Sequence, residues 1–145
     1  MVTELRIAAQ NELERIAKIY ASEFSKPPYD ESWTLEKAMK KIQFYNKNCD
    51  LYVIRYDDQV AGFIAINPNF MCPGEVAFGE ELAIAERFQG KYITPIVLDK
   101  IFEIYKERGF KKFMGIVEKD SRPMKLYEKV GLVPSEKGVL IEKKL

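Results

Sequence analysis

Histidine is absent from all 145 residues of this chain. A Ser-His-Asp triad, a Cys-His nucleophile pair and the usual His-bearing zinc sites are therefore excluded. Proton chemistry falls to Glu, Asp, Tyr, Lys, Cys or water, and no metal site is expected. Cysteine is scarce: Cys49 and Cys72 cannot build a disulfide framework, and free thiols suit a reducing compartment. Long apolar runs are missing too. The longest, residues 60–66, is far too short to span a bilayer, and Met1-Val2-Thr3-Glu4-Leu5-Arg6 has no signal-peptide layout. The expectation is a cytoplasmic protein. Net charge is nearly nil, +1 from 23 basic and 22 acidic residues, so no overall field favours nucleic acid or a membrane surface.

What is present suits one soluble domain over residues 1–145. Apolar residues make up 47% and charged residues 31%, and a chain of this length buries about two thirds of its unfolded surface. Thr3, Leu5 and Ile7 alternate with polar neighbours, predicting a short edge strand. Asn11 followed by Glu14 has capping-box spacing ahead of a helix with Leu13, Ile16, Ala17, Tyr20 and Phe24 on one face. Pro27-Pro28 stops it. Thr34 can cap a second helix whose stripe is Leu35, Ala38, Met39, Ile42 and Tyr45.

Strands follow at 51–56 and 60–66, joined by a turn at Asp57-Asp58-Gln59, and then at about 76–85. A helix after Thr94 carries Ile96, Val97, Ile101, Ile104 and Tyr105 inward and stops at Gly109. Residues 110–117 read as a strand buried on both faces, 121–130 as a short helix ended by Gly131, and 139–143 as a last strand. This order predicts an α/β (α+β) domain, a mixed sheet flanked by helices.

The most informative stretch runs from Glu80 to Pro95. A strand containing Leu82-Ala83-Ile84-Ala85 passes through Gln89-Gly90-Lys91-Tyr92-Ile93-Thr94 into a helix. Such a turn offers unpaired backbone N–H groups at a positive dipole end, a site for phosphate.

With Leu126-Tyr127-Glu128-Lys129-Val130-Gly131-Leu132, this pattern resembles the GNAT superfamily of N-acetyltransferases along nearly the whole chain. The family's acetyl-CoA loop reads Q/R-x-x-G-x-G/A, and Gln89 to Thr94 lies over it. Tyr92 stands where the family's central glycine usually sits, and Thr94 replaces the final Gly or Ala. Either the tyrosine ring narrows the approach to the pyrophosphate or it turns outward and leaves the N–H groups usable. Thr94 is read as a helix cap, with Pro95 at the first helical position.

The resemblance implies acetyl-CoA as cofactor, its pantetheine arm on the backbone of Leu82, Ala83 and Ile84. It puts the diphosphate on the N–H groups of Gln89, Gly90, Lys91, Tyr92, Ile93 and Thr94. Asp120 aligns with an Asn that commonly touches the cofactor, and Tyr127 is the expected general acid. Its ordinary pKa near 10 keeps it protonated at neutral pH, ready to protonate a departing thiolate.

For the base, Glu80 and Glu81 compete, because adjacent strand residues face opposite ways and only one can look into a cleft. Glu80 is preferred, with Glu81 and Glu118 as alternatives. The loop carrying Tyr29, Asp30, Glu31 and Trp33 is expected to meet a small-molecule or peptide amine, with Tyr29, Trp33 and Glu80 as its contacts. A homodimer is a further expectation. The competing reading is a non-catalytic CoA-binding or regulatory module on the same fold.

Overall fold

In the computed structural model, which describes residues 2–145, the alternating N-terminal segment becomes β1 (Thr3–Ile7). It lies at one side of a five-stranded sheet of order β1-β2-β3-β4-β5. The partners are β2 (Asp50–Tyr56), β3 (Gln59–Asn67), β4 (Val76–Ile84) and β5 (Lys112–Gly115). The first three contacts are antiparallel and β4 with β5 is parallel, so the sheet is mixed as expected. Asp57 and Asp58 both take positive φ, +55° and +62°, which joins β2 and β3 in the turn geometry that short hairpins favour.

Helices cover both faces. α1 (Leu13–Phe24) and α2 (Leu35–Asn48) press Leu13, Ile16, Ile42 and Tyr45 onto Val53, Phe63, Ala65 and Ala83. On the other face α3 (Ile93–Glu107) packs Val97, Leu98 and Ile101 against Ile54, Ile64, Ile66 and Ala77. The short α4 (Arg122–Lys129) joins that layer through Tyr127, and the following Val130 joins it too. Thr34 caps α2, its hydroxyl accepting from Lys37 N–H at 3.2 Å, and Ser121 caps α4 by accepting from Met124 N–H at 3.1 Å. Gly109, at φ +88°, ends α3.

Four local expectations are corrected. Asn11 is not the cap of α1; it lies in a 3₁₀ turn (Gln10–Glu12), and the Glu12 carboxylate takes the Ala9 N–H at 2.8 Å. Arg6 holds that carboxylate with two bonds of 2.8 and 2.9 Å, an ion pair that settles the helix entry better than a neutral amide can. Leu35 is exposed because it opens α2 beyond the edge of the core. The strand expected over 110–117 contracts to β5 and is not buried on both faces, since no second layer lies outside it. Residues 139–143 form no strand; Val139, Leu140 and Ile141 stand in solvent.

Candidate active site

β4 is where the sheet opens. Its pairing with β5 runs only from Val76 opposite Lys112 to Gly79 opposite Gly115. Beyond Gly79 the two strands part, while β4 stays paired to β3 as far as Ile84. The far edge of residues 80–84 therefore has no strand partner.

The register of β3 on β4 also slips at this point. Ala65 pairs with Glu81 and Ile66 with Gly79, which leaves Glu80 as the extra residue of a β-bulge. The consequence is visible in the core. Ala77 belongs to the α3 face and Ala83 to the α1/α2 face, although a regular strand would put both on one side. The bulge interrupts the alternation of faces at Glu80 and Glu81, and Tyr45 feels the charge of both carboxylates. Glu80 is held by Asn67, whose side-chain amide donates to Oε2 at 3.1 Å.

Glu81 sits deeper. The Tyr20 hydroxyl donates to its Oε1 in a long 3.4 Å bond, and Tyr20 itself is wholly buried. Burial pushes the Glu81 carboxyl up to about 7; Lys41 draws it partly back, and Glu31 and Glu80 add to the rise. Tyr20, Tyr29, Tyr45 and Tyr127 are all held above the ordinary phenol value, first by burial, with the charge of Glu81 adding to the rise in each case. Glu81 is thus the common neighbour of four phenols.

Tyr127 is half-buried on α4, and its hydroxyl is pushed up to about 12 by burial and by Tyr29 and Glu81. Tyr29 is reached through an aromatic chain. Its ring meets Phe24 at 4.9 Å, Phe24 meets Tyr20 at 4.7 Å, and Tyr20 meets Trp33 edge-on at 4.5 Å. Trp33 donates its indole N–H to Glu31 at 3.1 Å. Glu118, in the loop after β5, contributes to the raised Tyr29 value, so it too borders this region. The site therefore gathers Tyr29, Trp33, Glu31, Glu81, Glu118 and Tyr127 around the open end of β4. Tyr20 and Tyr45, read from the sequence as core, are second members that only the bulge brings to Glu81.

The loop after β4 builds the other half. A 3₁₀ turn (Glu86–Phe88) leads to Gln89, whose N–H is taken by Glu86 O at 3.1 Å and so is not free. Its side-chain amide pins the loop instead, donating to Ile84 O at 2.8 Å and Glu23 Oε1 at 2.7 Å. Gly90 follows at φ +77°, a conformation glycine adopts at no steric cost, with open space where a Cβ would stand.

Tyr92, not Thr94, is the N-cap of α3, in a left-handed conformation at φ +61° and with no side-chain cap. Thr94 is the second helical residue and Pro95 the third, so the helix starts about half a turn earlier than the sequence suggested, because Gly90 and Tyr92 complete the reversal between them. The Tyr92 side chain is 71% exposed. The first N–H groups of a helix lack intrahelical acceptors, and at the start of α3 these are the N–H groups of Tyr92, Ile93 and Thr94, since Pro95 has none. Lys91 is exposed there, its Nζ 5.9 Å from the centre of the Tyr56 ring. Asp120 lies in the exposed turn before α4 at φ +59°.

Comparison with known proteins agrees with this architecture. The chain matches the model of the Acetyltransferase (GNAT) family over residues 13–132. No curated protein matches it by sequence. Among solved structures, a possible acetyltransferase from Clostridium difficile 630 superposes with a TM-score of 0.81 at 16% identity, covering 100% of this chain and 99% of that one. A putative phosphinothricin N-acetyltransferase gives 0.70 at 25% identity over 90% of this chain and 82% of its own. An aminoglycoside N-acetyltransferase in complex with CoA gives 0.74 at 12% identity over 99% and 96%. With the family model matching most of its length, and the mixed sheet parting after Gly79 as described, the chain belongs to the GNAT acetyltransferase family.

Proposed function

We propose that this protein transfers the acetyl group of acetyl-CoA directly to a primary amine of a small molecule or peptide, both reactants bound together. The observation that carries the proposal is a β4 edge left open over residues 80–84 that leads through Gly90 to an uncapped helix N-terminus, with the Glu81 carboxyl on that same strand pushed up to about 7. The free edge of residues 80–84 suits an extended, amide-bearing arm, and the N–H groups from Gly90 to Thr94 suit a diphosphate. Acetyl-CoA supplies the activated acyl group. The chain's own residues do the rest.

An exposed N–H among residues 82–84 polarises the reacting carbonyl. Glu81 accepts the proton of the attacking amine, and Tyr127 holds a proton for the departing thiolate. Glu81 takes the role of base in preference to Glu80, whose carboxylate is already engaged by Asn67. Tyr29 and Trp33, with Glu31 and Glu118 beside them, suit a cationic amine, since aromatic faces and carboxylates both attract positive charge. The match to the acetyltransferase family over residues 13–132 supports this reading over a non-catalytic module.

The direct experiment mixes purified protein, acetyl-CoA and a panel of amines and measures released CoA thiol. Turnover is expected with at least one cationic amine, and acetyl-CoA at 100 times its Kd should stabilise the fold by about 2.7 kcal/mol. Absence of any thermal shift at millimolar acetyl-CoA would overturn the proposal.

Position 92 provides a sharper probe of the phosphate half. Tyr92→Gly relieves left-handed strain of about 1 kcal/mol and should keep coenzyme affinity. Tyr92→Asp also tolerates the backbone but sets a carboxylate against the diphosphate. At roughly 1–3 kcal/mol of repulsion, Kd for CoA should weaken about 10- to 100-fold, read by calorimetry. Equal Kd values for the two variants would put the diphosphate elsewhere.

A further inference from the structure

The turn from β4 into α3 is anchored on either side by apolar side chains, Phe88 and Ile93, both buried in the core. Residues 89–92 between them are exposed. Among these four, Gln89 is the one whose side chain makes hydrogen bonds, and both of its amide hydrogens are used. One goes to Ile84 O at 2.8 Å, at the end of β4. The other goes to Glu23 Oε1 at 2.7 Å, on the last turn of α1. A carbonyl and a carboxylate only accept, so the NH2 end of the amide has to face them. Ile84 O points away from β3, since it is the next residue, Ala85, whose N–H donates to Ala61 O at 2.8 Å. Gln89 therefore closes the open edge of β4 at Ile84.

Glu23 is itself held. Lys26 Nζ donates to its Oε2 at 2.8 Å and stands 3.6 Å from Glu86 Oε2, in the same turn as Gln89. The Glu23 side chain is only 15% exposed, which leaves its oxygens to these two donors with little competition from water. Gly90 comes directly after Gln89, and glycine has the widest choice of backbone conformations. The path of the chain through it is thus set by what fixes Gln89.

We propose that Glu23 is a positioning residue for the coenzyme: from α1 it aims the Gln89 amide, which fixes the reversal at Gly90 and with it the N–H groups of Tyr92, Ile93 and Thr94. The inference rests on the diphosphate lying at that turn, the reading given above. Charge matters as well as shape. In Glu23→Gln a single carbonyl oxygen meets two donors, the Gln89 amide and the Lys26 ammonium, and the new NH2 must oppose one of them. That variant keeps the side-chain volume and satisfies half of the contact.

The test titrates the full chain with CoA by calorimetry and follows acetyl-CoA kinetics with an accepted amine. Glu23→Ala should weaken CoA binding about 10-fold, what one hydrogen bond to a charged group contributes, and Glu23→Gln about threefold. KM for acetyl-CoA should rise in step while kcat changes by less than about threefold, a split that general loss of folded protein does not produce. In a Gln89→Ala background, Glu23→Ala should alter Kd by no more than about twofold, because Glu23 acts through that amide. Losses that multiply would give Glu23 a separate role and overturn the proposal. Wild-type CoA affinity in both Glu23 variants would overturn it too, while leaving the acetyltransferase reading in place. Should Glu23→Ala fail to fold, the same-size Glu23→Gln decides on that criterion. A wild-type chain that takes up no CoA overturns the acetyltransferase reading, and this inference with it.

Discussion

Glu81→Gln is expected to lower kcat/KM about 100- to 10,000-fold, the range a positioned acid or base contributes, while raising the melting temperature at pH 8. The two effects have one cause. The native environment pushes the Glu81 carboxyl from an ordinary 4.5 up to about 7, chiefly by burial. Between those values the folded state binds more protons than the unfolded state, so stability is fully present below about 4.5 and falls as pH rises through about 7. At pH 8 the ionised carboxylate costs the fold about 3 kcal/mol, which a neutral amide of the same shape avoids. The variant should therefore melt roughly 10 °C higher at pH 8 and show no gain at pH 4.5. In the wild type, kcat/KM should rise with pH through about 7 as Glu81 loses its proton, and that ionisation should vanish in Glu81→Gln. A variant that keeps the ionisation assigns the base to another group, Glu80 or Glu118.

Most of the scaffold behind this site was legible in the residues. The periodicity of α1 and α2, the caps at Thr34 and Ser121, the Asp57-Asp58 turn and the stop at Gly109 are local signals, and each acts within a few residues of itself. The phosphate loop was legible as chemistry but not as geometry. Gly90 announced a reversal, yet the shift of the helix start to Ile93 depends on Tyr92 accepting a left-handed backbone, which β-strand and helix patterns do not encode.

The preference for Glu80 over Glu81 rested on strand alternation. Alternation assigns faces only while the register holds, and the bulge at Glu80 arises from how β3 and β4 meet, not from either strand alone. Apolar content likewise predicted strands at 110–117 and 139–143 without saying what would pair with them.

Tyr127→Phe should lower kcat about 100- to 1,000-fold and leave the Kd for CoA within about threefold, because it removes a proton and keeps the ring. The ring is what joins α4 to the sheet layer, so the fold should hold. At about 12, the hydroxyl holds its proton more firmly than an ordinary phenol, and the charge of Glu81 is one of the causes. Once Glu81 has accepted the amine's proton that charge is gone, and Tyr127 becomes the better acid when a thiolate must be protonated. The two residues then act as a unit, and their losses should not add. The double variant Glu81→Gln/Tyr127→Phe is expected to be only a few-fold slower than the worse single variant, about 10-fold or more faster than the product of the two losses. Fully multiplicative losses would uncouple the acid from the base. A Tyr127→Phe enzyme within threefold of wild-type kcat would reduce Tyr127 to a packing role.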